Sequence, residues 1–293
     1  MQEYRLPYSS ARKSKLTIGF LDEPPYLEFY NQKMAGVFDA ARKHNANIVR
    51  FTDNTTITCQ PPVHVKMVFD LIQQFPLDGL IFIGWTAAVC DSFEQFSRQF
   101  AATPLLSLGK VFDNVPSVYF QGSKYIHEIM LHLFQVHHLT RIAYIAPMRE
   151  DDRNDVYRNF MREYGIDDPG LFIDLPYHRY PTLQERAKRV VEILLDERNA
   201  KPEAIMSPYS LETLWLLGEL KKRGIRIPQD IAVTSYEDAE TGKYNSPALT
   251  TVYYPFYELG FYGCEKMIQL LTQGSIPFHT EIAGKIIYRK SCG

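Results

Sequence analysis

Apolar positions along the chain follow two spacings that take turns. Short apolar runs read as strands: Leu16 to Leu21, Ile48 to Phe51, Leu80 to Ile83, Leu105 to Leu108 and Ser117 to Phe120. Between them, apolar residues recur at helical intervals, as in Tyr30, Met34, Val37, Phe38 and Ala41, or Val65, Val68, Phe69 and Ile72. A helix carrying Ile126, Ile129, Met130 and Leu133 closes this half. The second half repeats the theme with strands at Arg141 to Ile145, Leu171 to Leu175 and Ala204 to Met206. Its helices carry Val156, Phe160 and Tyr164, then Leu183 to Leu195, then Leu211 to Gly218. Serial strand–helix alternation predicts parallel sheets with right-handed crossovers. Two such halves predict an α/β protein of two Rossmann-like lobes.

The stretch Arg223 to Pro255 carries the densest local signals. Gly224 ends a helix, Pro228 and Asp230 turn the chain, and Ile231 to Thr234 forms a short strand that stops at Glu237 and Asp238. Leu249 to Tyr254, rich in Thr, Val and Tyr, is a second strand. In open α/β sheets the ligand crevice lies at the carboxyl ends of strands, and Glu237 sits at such an end.

These pieces resemble the C-terminal signature of the LacI/GalR family of ligand-sensing domains. There an R-G-x-x-I-P-x-D-I-A-V strand leads to a G-[FY]-D-[DN] site and then P-x-L-T-T-V-x-x-P. Here the pieces are Arg223-Gly224, Ile227-Pro228, Asp230 to Val233, Ser235 to Asp238 and Pro247 to Pro255. Asp78-Gly79-Leu80 and Arg141 to Ile145 match further family strands. The resemblance implies a periplasmic-binding-protein-like type I fold with three crossover segments, near Thr140, Tyr254 and Gly274. It divides the chain into a tail or linker (1–14), an N-terminal lobe (15–139 plus 254–274) and a C-terminal lobe (140–253 plus 275–293).

The resemblance also implies a pocket, but with altered anchors. The family's ligand-gripping Asp falls on Glu237 and its Gly on Ser235. Its Arg falls on Val156, with Arg153 and Arg158 nearby. Its Asn-Asp loop falls on Ser207 to Ser210, bringing in Tyr209, and its Asp-Asn falls on Gln121-Gly122. What remains is aromatic and polar: Asp22, Phe29, Tyr30, Trp85, Gln121, Arg153, Tyr209, Tyr236 and Glu237. Flat aromatic faces suit sugar rings or nucleobases, and carboxylates suit hydroxyls or amines. Several have a plainer reading: Asp22 as a solvated loop charge, Phe29 or Tyr30 as core, Trp85 as lobe packing, Tyr236 as buried support; a carboxylate at Glu237 has no obvious core role.

Composition narrows the classes. At 293 residues the chain is long enough for two lobes, and a net charge of −2 argues against its gripping nucleic acid alone. Four scattered cysteines, Cys59, Cys90, Cys264 and Cys292, form no C-x-x-C pair and fit reduced thiols in the cytoplasm. No apolar run approaches the ~20 residues of a membrane helix, and the first residues lack a signal peptide's apolar core. His127-Glu128 with His132 is one residue too long for a zinc H-E-x-x-H helix, and His137-His138 reads as a favourable helix end. Phosphate-binding and nucleophile-elbow motifs are absent. No metal, cofactor or catalysis is expected. The resemblance implies a sugar-type effector, a homodimer, and DNA contact only through a separate head domain. An exported sugar-binding protein and a ligand-free interaction module stay open as alternatives.

Overall fold

A computed structural model describes residues 2–6, 15–22, 28–52, 63–84, 93–147, 151–176 and 179–293. They divide into two compact units: Met1–Phe120 with Pro255–Ala283, and Gln121–Tyr254 with Gly284–Gly293.

The first unit is built on a six-stranded sheet. Its strands are β2 (Thr17–Asp22), β3 (Asn47–Thr52), β4 (Gly79–Ile83), β5 (Leu105–Leu108), β6 (Ser117–Tyr119) and β13 (His279–Glu281), in the order β13-β6-β5-β4-β2-β3. Every pairing is parallel. The five residues of β4 are all buried, as expected of a central strand covered on both faces. Helices α1 (Glu28–Lys43), α2 (Val63–Gln73), α3 (Phe93–Gln99) and α9 (Phe256–Gln273) flank it. One side of the core is a phenylalanine cluster, with Phe69 and Phe96 edge-to-face at 5.1 Å and Phe82 and Phe96 at 4.8 Å. Helices α1 and α9 approach until backbones touch. A Cβ on Gly36 would lie 2.1 Å from the Tyr257 carbonyl oxygen, and one on Gly260 would lie 2.0 Å from that of Lys33.

The second unit orders its sheet β14-β11-β10-β9-β7-β8. Its strands are β7 (Ile142–Ile145), β8 (Phe172–Ile173), β9 (Ala204–Met206), β10 (Ala232–Tyr236), β11 (Thr250–Tyr253) and β14 (Lys285–Ile287). All pairings are parallel except that of β14 on β11. Its helices are α4 (Ser123–Gln135), α5 (Asp152–Glu163), α6 (Leu183–Val191), α7 (Ser210–Lys222) and α8 (Glu240–Lys243). Helix α6 continues as a π-turn segment through Glu192–Glu197.

Three features depart from the sequence expectation. Residues 1–14 are not wholly a tail: β1 (Glu3–Arg5) pairs antiparallel with β12 (Ser275–Pro277), and Tyr4 packs on Phe278. Only that distant partner gives three residues a reason to extend. The first lobe boundary moves from 139/140 to 120/121, because α4 packs on α5, β11 and β14. The last moves from 274/275 to 283/284, because β13 completes the first sheet beside β6. The middle boundary shifts by a single residue, from 253/254 to 254/255.

Candidate functional site

In the second unit, side chains gather where β7, β9 and β10 end. Asp151 caps α5, its carboxylate accepting from the Arg153 amide at 3.0 Å. The same carboxylate takes the Arg153 guanidinium in a fork, with Nε at 2.8 Å and Nη2 at 2.7 Å. Asp151 is therefore no solvated loop charge; only 9% of its side chain is exposed. Burial works against the Arg153 charge, but the Asp151 carboxylate outweighs it and keeps the guanidinium protonated.

That guanidinium lies over two tyrosine rings, 4.4 Å from the centroid of Tyr236 and 5.9 Å from that of Tyr209. Burial pushes the Tyr209 hydroxyl up to about 12, and it pushes Tyr236 and Tyr144 up as well; the nearby Arg153 charge pulls all three the other way. All three phenols are neutral donor–acceptors at neutral pH. The buried Tyr144 hydroxyl and Ser207 Oγ have no hydrogen-bond partner among the described residues. Buried polar atoms normally find one, so such a pair in this unit is notable.

Glu237 follows β10 with φ of 71°, a left-handed conformation rare for a residue with a long side chain. Its amide donates to the Val252 carbonyl at 2.9 Å, which fixes the turn. Ser210 holds the other side: its hydroxyl lies 2.9 Å from the Tyr236 carbonyl and also meets the Glu237 carbonyl. Thr213 Oγ1 ties the Tyr209 carbonyl at 2.8 Å to Ser235 Oγ at 3.1 Å. These small hydroxyl residues position the site, and sequence reasoning passed over them because it looked for groups that contact ligand.

The structure thus brings together four of the nine expected residues: Arg153, Tyr209, Tyr236 and Glu237. Gln121 is exposed, just past β6. Trp85 lies outside the described residues, and Phe29 and Tyr30 are placed by their backbone alone, in the first turn of α1. Asp22 is not the solvated loop charge of its plainer reading. It is fully buried, with Lys33 Nζ at 2.9 Å and Arg50 Nη2 at 2.8 Å, so its charge is already matched by two cations. Arg50 comes from β3 in register with β2, a pairing that local sequence cannot reveal.

A second buried ion pair was also missed. Arg186 on α6 and Glu212 on α7 pair directly, both fully buried. Arg186 also donates to the Leu175 carbonyl and the Ala146 carbonyl, each at 3.1 Å. It pins the segments after β8 and β7 to the helices beside the site.

The model of the periplasmic binding protein-like domain matches residues 131–292, more than half of the chain. The chain belongs to this family. It is a LacI/GalR-type ligand-sensing domain with the periplasmic-binding-protein-like type I fold, as the signature in Arg223 to Pro255 implies. The transcription regulator GntR from Chromobacterium violaceum has the same fold, with a TM-score of 0.81 at 17% identity over 94% of this chain and 99% of that one. The transcriptional repressor PurR of Aliivibrio fischeri is 30% identical over 83 residues, 28% of this chain and 25% of that protein. The transcriptional regulator KdgR of Bacillus subtilis is 28% identical over 109 residues, 37% of this chain and 32% of that protein. The matched segments span about a quarter to a third of these curated relatives, which are regulators rather than enzymes. Among the described residues, no helix is long and apolar enough to cross a membrane.

Proposed function

We propose that this chain is the effector-sensing part of a bacterial transcriptional regulator, and that its effector is a small polyhydroxylated molecule, a sugar or sugar derivative. The observation that carries the reading is the group at the ends of β7, β9 and β10. A largely covered cation, its side chain 11% exposed, lies over two tyrosine faces, beside a strained glutamate and two buried hydroxyls without partners among the described residues. Tyrosine faces suit a sugar ring's C–H surface, while phenols, serine and carboxylate suit its hydroxyls. Strain at a non-glycine φ is kept where surrounding structure over-determines it, and it clusters at ligand sites.

In this reading the chain performs no chemistry. Ligand binding biases a conformational equilibrium by its unequal affinity for the two states. The protein works in the cytoplasm as a homodimer, and DNA is contacted through a separate head. The pairing of Arg153 with Asp151 favours one second reading, an interaction module whose pocket has become self-satisfied. A thermal-shift screen of neutral, amino and acidic sugars separates them. A ligand at about 100 times its dissociation constant adds about 2.7 kcal/mol to stability. A flat response to the whole panel favours the module.

A further inference from the structure

Helix α4 carries His132 in its last turn and stops three residues later. In a continuous helix, residues five apart diverge by ~140° and cannot share a partner. Here the helix ends first, and His138 turns the chain with φ of 57°. His137 therefore folds back, and its Nε2 lies 3.0 Å from Nε2 of His132. The chain's far end supplies a third group: Cys292 Sγ lies 3.8 Å from His132 Nε2. The three ligand atoms all fall within 4.8 Å of one another.

The triad is held from several sides. Ser291 fixes the tail, its hydroxyl donating to the Val233 carbonyl at 2.6 Å and accepting from the Thr250 amide at 2.8 Å. Thr250 Oγ1 touches Cys292 Sγ at 3.1 Å. The Tyr288 ring packs on His132 at 4.3 Å, and the Gly293 backbone lies so close to the His137 ring that a Cβ there would meet it at 2.5 Å.

We propose that His132, His137 and Cys292 form a binding site for one borderline-soft divalent cation of the zinc class. Two imidazoles and a thiolate are a zinc donor set, and three protein ligands leave the fourth tetrahedral position for water. With metal–nitrogen bonds of ~2.0–2.1 Å and metal–sulfur of ~2.3 Å, a tetrahedron needs ~3.4 Å between nitrogens and ~3.6 Å from nitrogen to sulfur. The observed 3.0 and 3.8 Å lie within a few tenths of these values. Closing the remaining gap between His137 and Cys292 needs about an ångström of side-chain movement. Binding displaces the Cys292 thiol proton to solvent, forms the metal–sulfur bond, and staples the C-terminal segment to α4.

The test uses the full chain under reducing conditions, with Cys59, Cys90 and Cys264 changed to Ser so that Cys292 is the only thiol. Cobalt(II) is the probe. The site predicts a thiolate-to-cobalt charge-transfer band that saturates at one equivalent and is abolished by added zinc. In chelator competition, His137→Ala should weaken zinc binding at least about tenfold, since even outer-shell partners of metal ligands contribute ~10–100-fold. Cys292→Ser should do the same with Cys59, Cys90 and Cys264 intact, and far-ultraviolet dichroism checks that each variant folds. His137 is only partly buried, so its variant keeps the test open if Cys292→Ser misfolds. Absence of the thiolate band, or unchanged zinc affinity in His137→Ala, overturns the site and leaves a hydrogen-bonded histidine pair beside a buried thiol.

Discussion

Removing one side of the Arg186–Glu212 pair should unfold the second unit well before the first. Both side chains are fully buried, and Arg186 also satisfies the carbonyls of Leu175 and Ala146. Glu212→Leu strands a buried guanidinium, and breaking a buried pair from one side costs about 3–5 kcal/mol. Arg186→Met strands the carboxylate and deprives two carbonyls of a donor, so it should cost no less. The double variant Arg186→Met/Glu212→Leu removes both charges and should recover much of that loss, leaving chiefly the cost of the two carbonyls, about 1–3 kcal/mol each at most. The chain has two tryptophans, Trp85 and Trp215, and Trp215 lies on α7 beside Glu212. In a Trp85→Phe background, its fluorescence reports the second unit alone, which matters because a two-unit protein need not unfold in one step. With a slope of about 2 kcal/mol/M in urea, either single variant should lower the midpoint by about 1.5–2.5 M. Single variants within about 1 kcal/mol of wild type, or a double variant no better than the worse single, would refute the argument that this pair is a desolvated anchor.

Gly36→Ala should destabilise the first unit by at least about 1–3 kcal/mol, because its Cβ would lie 2.1 Å from the Tyr257 carbonyl oxygen; Trp85 fluorescence in a Trp215→Phe chain reads it. Glu203 accepts from the amides of Thr140 at 2.8 Å and Arg141 at 2.9 Å; burial would raise its pKa, yet these donors outweigh it and hold it below the ordinary glutamate value. Its contribution should be complete above about pH 4.3 and fade as pH falls through the lower folded value, so wild type and Glu203→Gln should differ at pH 7 and converge in acid melts. A stability gap that widened in acid would contradict the assignment.

The sequence makes the alternation legible because each strand is a short apolar run and each helix a stripe. The observed β5 coincides with the expected Leu105 to Leu108. Strand β10 runs two residues past the expected Thr234, because Ser235 and Tyr236 pair with Thr251 and Val252. Strand β8 shrinks from the expected Leu171–Leu175 to Phe172–Ile173, since Asp168 caps a short turn through Leu171. The site was half legible: Glu237 and Tyr236 follow from their place at a strand end. The burial of Asp22 was not legible, because the two cations that pair with it come from another strand and a helix. The His132–His137–Cys292 group was hidden by the 154 residues between His137 and Cys292 and by a helix end that spacing alone does not mark.

The most direct test of effector binding at the ends of β7, β9 and β10 is calorimetric titration of the best sugar from the thermal-shift screen into wild type and Glu237→Gln. The variant keeps the shape but removes the charge and exchanges an acceptor for a donor. Charge-assisted hydrogen bonds contribute about 1.5–3 kcal/mol, so affinity should fall about tenfold or more while ligand-free stability barely changes. A Glu237→Gln chain that binds as tightly as wild type, or that melts early without ligand, would contradict the account and make Glu237 a structural anchor.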